Sequence, residues 1–167
     1  MSRVAVAEQY VNTYAQPHRA CLRWWAHPSV MIGGNVLHEA DWKHLHDTYG
    51  IRSVLNVDHI SDVGKGISLL SECPVPDDGS PIPKGLVRHA VSFARMYLGM
   101  GRIYVHCHMG VSRSPAFAYA VLRWVFDMGE EEALRAVQKG GGELGESYGA
   151  DPRQRAYIDS IESALHV

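Results

Sequence analysis

No stretch of this 167-residue chain approaches the roughly 18 consecutive apolar residues of a membrane-crossing helix. The opening MSRVAVAEQY also lacks the unbroken apolar core of a signal peptide. Cysteine is scarce and odd in number. Cys21, Cys73 and Cys107 cannot form a disulfide framework, and a chain of this length does not need one, so a reducing, cytoplasmic setting is expected. Neither sign of charge dominates: 16 Lys and Arg against 18 Asp and Glu leave −2 at pH 7. The basic residues are scattered, so no nucleic acid and no membrane surface is expected as partner. Repeats with a period of about 20–50 residues and low-complexity tracts are missing, which sets solenoids and propellers aside. What is there is a 46% apolar composition, enough for one well-buried core. The oligomeric state is left open.

The order of elements decides the fold class. Residues 1–28 carry a weak helical pattern (Val4, Val11, Tyr14) and two bulky tryptophans, Trp24 and Trp25, and read as an appendage packing on a single domain at 29–167. Val30 to Ile32 predicts a short strand, His38 to Thr48 a helix closed at Gly50, and Ile51 to Val57 a buried strand rich in β-branched residues. A further strand is expected over Ile67–Leu70. The proline-stiffened run from Cys73 to Pro83 cannot be a helix interior. Leu86, Ala90, Phe93 and Tyr97 place a helix over Lys84–Leu98, and Ile103-Tyr104-Val105 is a short apolar strand. From Ser112 the residues Phe117, Val121, Trp124 and Met128 keep helical spacing with apolar neighbours on every face, the pattern of a buried central helix closed by Gly129. Glu130, Glu131 and Glu132 suit the positive N-terminus of the next helix, which Gly140-Gly141-Gly142 ends. Asp151-Pro152 opens the last helix, with Ile158, Ile161 and Leu165 inward. This alternation predicts an α/β fold whose central, mostly parallel sheet is flanked by helices on both faces.

Between the strand at Ile103–Val105 and the central helix lies His106-Cys107-His108-Met109-Gly110-Val111-Ser112-Arg113-Ser114-Pro115. A loop that leaves a strand and enters a helix turns successive backbone N–H groups and a positive helix end toward one point, which suits an oxyanion such as phosphate. His108, Met109, Gly110, Val111, Ser112 and Arg113 are the expected substrate-binding residues. Cys107 at the loop's start feels the same field, which favours the nucleophilic thiolate. Arg113, six residues on, is placed to clamp two equatorial phosphoryl oxygens with its planar fork. Gly110 lets the loop curl, Ser114 is placed to donate its hydroxyl toward the sulfur, and Asn56 at the end of its strand is expected to tie the loop's backbone in place. His106 reads as a structural partner that orders the loop. Three Cys and 12 Arg in 167 residues give about 0.2 chance matches to Cys-x5-Arg, but requiring the flanking His, Gly and Ser lowers the expectation to roughly 10⁻⁴.

The stretch resembles the signature H-C-x-x-G-x-x-R-S/T of the cysteine-dependent protein phosphatases, and Gly110-Val111-Ser112-Arg113-Ser114 is similar to the dual-specificity branch, its small atypical members in particular. The likeness extends more loosely over 30–139, through Met31-Ile32-Gly33-Gly34 and Ile51-Arg52-Ser53-Val54-Leu55-Asn56-Val57; residues 1–28 match no known pattern. It implies that 29–167 is a phosphatase catalytic domain of dual-specificity-phosphatase-like fold. The implied activity is a cofactor-free, metal-independent hydrolysis of phosphate monoesters, in phosphoprotein or small phosphate-ester substrates, through a phosphocysteine. It also implies an aspartic acid on a separate loop, about thirty residues upstream, as proton donor. Asp77 directly follows a proline, as in those small members, and is taken as that acid. Asp78 is the alternative, its Asp-Gly dipeptide reading equally as a turn, with Asp58 and Asp62 next in line. Met109 and Val121 depart from the family pattern without removing a catalytic group.

Two rival functions remain: a non-catalytic phosphate-binding module on the same fold, and a rhodanese-like sulfurtransferase, whose loop also cradles anions on a cysteine but needs no upstream acid. A metal site at His106-Cys107-His108 is disfavoured because adjacent residues of a strand point to opposite faces and no partner motif is present. Cys73, near the acid loop, reads as a core thiol, with a disulfide to an oxidised Cys107 as the alternative. Trp24, Trp25 and Trp42 read as packing residues.

Overall fold

The computed structural model describes residues 6–11, 20–35, 39–108, 112–139 and 152–166. Among them, six strands form one sheet: β1 (Val6–Val11), β2 (Ala20–His27), β3 (Val30–Gly33), β4 (Ile51–Asn56), β5 (Leu70–Glu72) and β6 (Arg102–His106), in the spatial order β1-β2-β3-β6-β4-β5. β3, β6, β4 and β5 run parallel, while β2 and β1 add antiparallel at one edge. The described helices are α1 (Glu39–Tyr49), α2 (Lys84–Tyr97), α3 (Arg113–Trp124), α4 (Glu130–Lys139) and α5 (Pro152–Leu165).

The parallel strands are buried on both faces, as sheets covered by helices must be. Under α1 lie Met31, Ile51, Val54 and Tyr104, against Trp42 and Leu45 of the helix. On the other face Val30, Ile32, Leu55, Ile103 and Val105 pack against α2 through Val87, Ala90, Val91 and Ala94, and against α3. Every α3 residue from Arg113 to Leu122 is buried, because α2, α4 and α5 all pack against it on top of the sheet. That arrangement carries the loop preceding α3 to the carboxyl ends of β3, β6 and β4, where open parallel sheets place their ligand sites.

Four expectations from sequence need correction. Within 1–28 the described residues, Val6–Val11 and Ala20–His27, form strands rather than a helix, while Val4 and Tyr14 of the expected pattern lie outside the described residues. β2 alternates Trp24 and Ala26 toward one core with half-buried Trp25 toward the other, where it meets Tyr49 at 6.0 Å, and its pairing on β3 overrides a marginal periodicity. The strand expected over Ile67–Leu70 begins at Leu70 and runs through Ser71. That polar residue is buried because its hydroxyl bonds His89 Nε2 at 2.8 Å, so the strand lacks an apolar signature. The central helix stops at Trp124 rather than Met128. Asp127 takes a left-handed φ of 56°, and Arg123 Nη1 donates to Met128 O at 2.9 Å to close the turn. α2 likewise ends at Tyr97, passing into a 3-10 turn at Leu98–Met100.

Candidate active site

β6 ends at His106, and the next residue, Cys107, is 2% exposed at the floor of a cavity of about 420 Å³. Asp77, Ser112, Arg113, His108, His59, Ile60 and Arg153 line the same cavity. Cys107 Sγ lies 3.3 Å from Ser114 Oγ. The same hydroxyl lies 3.2 Å from Gly33 O, and with a single proton it serves either the carbonyl or the sulfur, not both. Turning one bond therefore moves the Ser114 proton between the carbonyl and the sulfur. The expectations for Met109, Gly110 and Val111 concern residues outside the described part of the chain.

Arg113 is almost wholly buried. Its Nη1 donates to Asp58 Oδ1 at 3.1 Å and to Val75 O at 2.9 Å, and its Nε, 3.8 Å from Asp77 Oδ1, is a buried donor with no hydrogen-bond partner. A buried donor is costly to leave unpaired, by about 1–3 kcal/mol, so the arginine is set up to receive an anion's oxygen. Sequence reasoning ranked Asp58 only as a reserve acid, whereas the fold makes it the arginine's counter-charge. Asp58 is fully buried, accepts from His59 N at 2.8 Å and faces His59 Nδ1 at 3.0 Å. Asn35, just beyond β3, joins in with its amide oriented to satisfy both ends. Its nitrogen donates to Asp58 Oδ2 at 3.0 Å and to Cys107 O at 3.1 Å, while its oxygen accepts from His108 Nδ1 at 2.8 Å. No sequence signal marks Asn35, whose role arises from three strand ends meeting.

Among the described residues, Asn56 bonds the loop after β4 rather than the one that follows β6. Its Nδ2 donates to Ile60 O at 2.8 Å and Glu72 Oε2 at 2.6 Å, and its Oδ1 accepts from Asp58 N at 2.9 Å, so it shapes the loop after β4 that carries Asp58. At the base of the site His106 is held on both ring nitrogens: Nε2 lies 2.5 Å from Asp62 Oδ2, and Nδ1 lies 3.1 Å from Cys107 O. Burial pushes the Asp62 carboxyl up, but the His106 hydrogen bond and charge, with Lys65, outweigh it and hold Asp62 below the usual carboxylate range. His106 and His108 thus turn to different partners.

The two candidate acids separate clearly. Asp77 Oδ1 accepts from Ser112 Oγ at 3.2 Å, and its Oδ2 lies 3.6 Å from Arg153 Nη1. Asp78 turns away to accept from Ser80 N at 2.9 Å, and hydrogen bonds from Ser80's side chain and backbone lower its pKa. Asp78 is the Asx turn that its Asp-Gly dipeptide suggests. Cys73 is buried, and burial pushes its thiol pKa up, the opposite of an activated nucleophile. Neither Cys73 nor Cys107 forms a disulfide among the described residues. No described helix is long and apolar enough to cross a membrane.

No family model matches the chain, and neither does any curated protein sequence. Solved structures are similar in fold. Human DUSP28 gives a TM-score of 0.67 at 19% identity over 85% of this chain and 93% of its own. P. aeruginosa TpbA, also solved in complex with pTyr, gives 0.64 at 16% identity over 85% and 87%. A human tyrosine phosphatase-like serine/threonine/tyrosine-interacting protein gives 0.65 at 18% identity over 83% and 91%. Since the neighbours include a phosphatase-like protein as well as phosphatases, the likeness speaks for architecture. A parallel core with an antiparallel edge, helices on both faces and a cysteine-arginine loop entering the central helix make this chain's fold that of the small dual-specificity-phosphatase-like proteins.

Proposed function

We propose that the protein is a phosphatase that hydrolyses phosphate monoesters through a phosphocysteine, acting on phosphotyrosine or phosphoserine/threonine peptides. One observation carries this reading: Cys107 and Arg113 of the loop before α3, and Asp77 of a distant segment, line one cavity, with the Arg113 Nε unpartnered beside it. The thiolate of Cys107 attacks phosphorus. As the S–P bond forms and the bond to the leaving oxygen breaks, the Asp77 carboxyl gives that oxygen its proton. The carboxylate then takes a proton from water as the water oxygen bonds phosphorus, the S–P bond breaks, and the departing thiolate accepts a hydrogen bond from the Ser114 hydroxyl. Arg113 and the amides of the loop that includes His108, Met109, Gly110, Val111 and Ser112 hold the trigonal phosphoryl group, whose transfer depends on positioning and charge stabilisation more than on covalent chemistry. A catalytic thiolate must stay reduced, which suits a cytoplasmic setting.

Hydrolysis of a chromogenic aryl phosphate is the test, with thiosulfate-to-cyanide sulfur transfer run in parallel. The reading expects turnover in the first assay alone. Cys107→Ser is expected to lower it at least about 10³-fold while keeping vanadate binding, since the arginine remains. Vanadate binding without turnover by the unmodified protein would show a binding module instead.

A further inference from the structure

One face of α5 runs along the acid loop. Arg153, Tyr157 and Ser160 are spaced i, i+4 and i+7, which aligns them on a helix. Each reaches a successive part of the segment from Pro76 to Ile82. Arg153 Nη1 lies 3.4 Å from Asp77 O, and Ser160 Oγ accepts from Ile82 N at 2.7 Å. Between them the Tyr157 hydroxyl accepts from Gly79 N at 2.9 Å and donates to Pro76 O at 2.8 Å. The phenol thus brackets Asp77, taking the residue before it and the second residue after it onto one oxygen. Among the described residues the loop has no sheet partner there, and its last ladder-like bond is Val75 N to Val57 O at 3.1 Å. Gly79 permits this close approach, with φ of 77° and space for a Cβ only 3.1 Å from Arg153 Cγ.

We propose that Tyr157 is the positioning residue of the general acid, holding the arc Pro76–Gly79 so that the Asp77 carboxyl reaches the leaving oxygen. The proposal rests on the reading of Asp77 as that acid. Tyr157 touches no reacting atom and acts through the loop's backbone. It is fully buried, and burial raises its phenol pKa, so across the working pH range it keeps the proton it donates to Pro76. Tyr157→Phe retains the packed ring and removes only the bridging oxygen.

The experiment compares kcat on an alkyl phosphate, whose leaving oxygen must be protonated, with kcat on an activated aryl phosphate, which depends on this far less. It uses the unmodified protein, Tyr157→Phe, Asp77→Asn and the double variant. The ratio of the two rates cancels any difference in the folded fraction, so a partly destabilised variant still reports. Tyr157→Phe is expected to lower kcat on the alkyl phosphate about 10- to 100-fold and on the aryl phosphate less than about threefold, with competitive inhibition by vanadate unchanged. The basic limb of its pH profile is expected to flatten as in Asp77→Asn, and the double variant to fall no further than Asp77→Asn alone. If Asp77→Asn changes the ratio and Tyr157→Phe does not, the positioning role is overturned and the acid stands. If Asp77→Asn leaves the ratio unchanged, the acid assignment fails and this proposal fails with it.

Discussion

The two halves of the candidate site are held in opposite ways. Arg113 lies 3% exposed in a buried polar hub, its charge met by Asp58 and its surroundings tied by Asn35 to the backbone of Cys107. Asp77 is 42% exposed on a loop without regular structure, fixed from outside by a helix some eighty residues further along the chain. The first half is a set of strand ends converging on one point, where a displaced partner leaves a buried charge. The second is a tether on a surface loop, which leaves the Asp77 carboxyl room to adjust. Breaking each half is therefore expected to have a different signature.

The largest effect is expected from Arg113→Lys, since a point charge cannot reproduce a planar fork that already spends one end on Asp58 and Val75. Turnover should fall about 10²–10³-fold on every substrate, aryl and alkyl alike, in steady-state assays. Asp77→Asn comes next and is selective: about 10²-fold or more on alkyl phosphates, with loss of the basic limb of the pH profile, while Asp78→Asn stays near the unmodified rate. Asp58→Asn is expected to raise vanadate's inhibition constant about tenfold without altering leaving-group dependence, because it loosens the arginine and spares the acid.

The smallest effect lies away from the cavity, where Glu162 of α5 accepts from Arg123 Nε at 2.9 Å and faces His166 and the Tyr119 hydroxyl. Burial pushes the Glu162 carboxyl up, but the Arg123 and Tyr119 hydrogen bonds and the Arg123 charge outweigh it and hold the carboxyl below its ordinary value. A carboxylate depressed in the folded state stabilises above its unfolded pKa, and that stability is lost as pH falls through the folded pKa. Glu162→Gln should therefore cost about 1–2 kcal/mol in urea titrations at pH 7, a difference that shrinks as pH falls below about 4.

Much of the architecture was legible because periodicity is local. The apolar run of β6, the helix face of α2 and the all-round apolar α3 each declare themselves within a dozen residues. β5 was misplaced because its central residue is a buried serine held by a histidine on α2, a contact absent from any local window. The pair β1 and β2 was hidden for the same reason, since β2 takes its character from pairing onto β3 and β1 from pairing onto β2. Within the candidate site, the motif marked Cys107, Arg113 and Ser114 directly, and Pro76-Asp77 marked the carboxylate that lines the same cavity. Asn35, Asp58, Arg153 and Tyr157 carry no motif. Asn56 was recognised as important, but the fold turns its amide to the neighbouring loop.

The sequence by itself determined the α/β alternation and the cysteine-arginine loop between a strand and a buried helix, because both are patterns of residue type along a short length of chain. Only the tertiary structure decided that Asp58 faces the arginine, that Asp77 rather than Asp78 turns to the cavity, and that α5 holds the acid loop. Those outcomes depend on which buried polar groups must find partners once distant segments are brought together, and that requirement exists only in the folded chain.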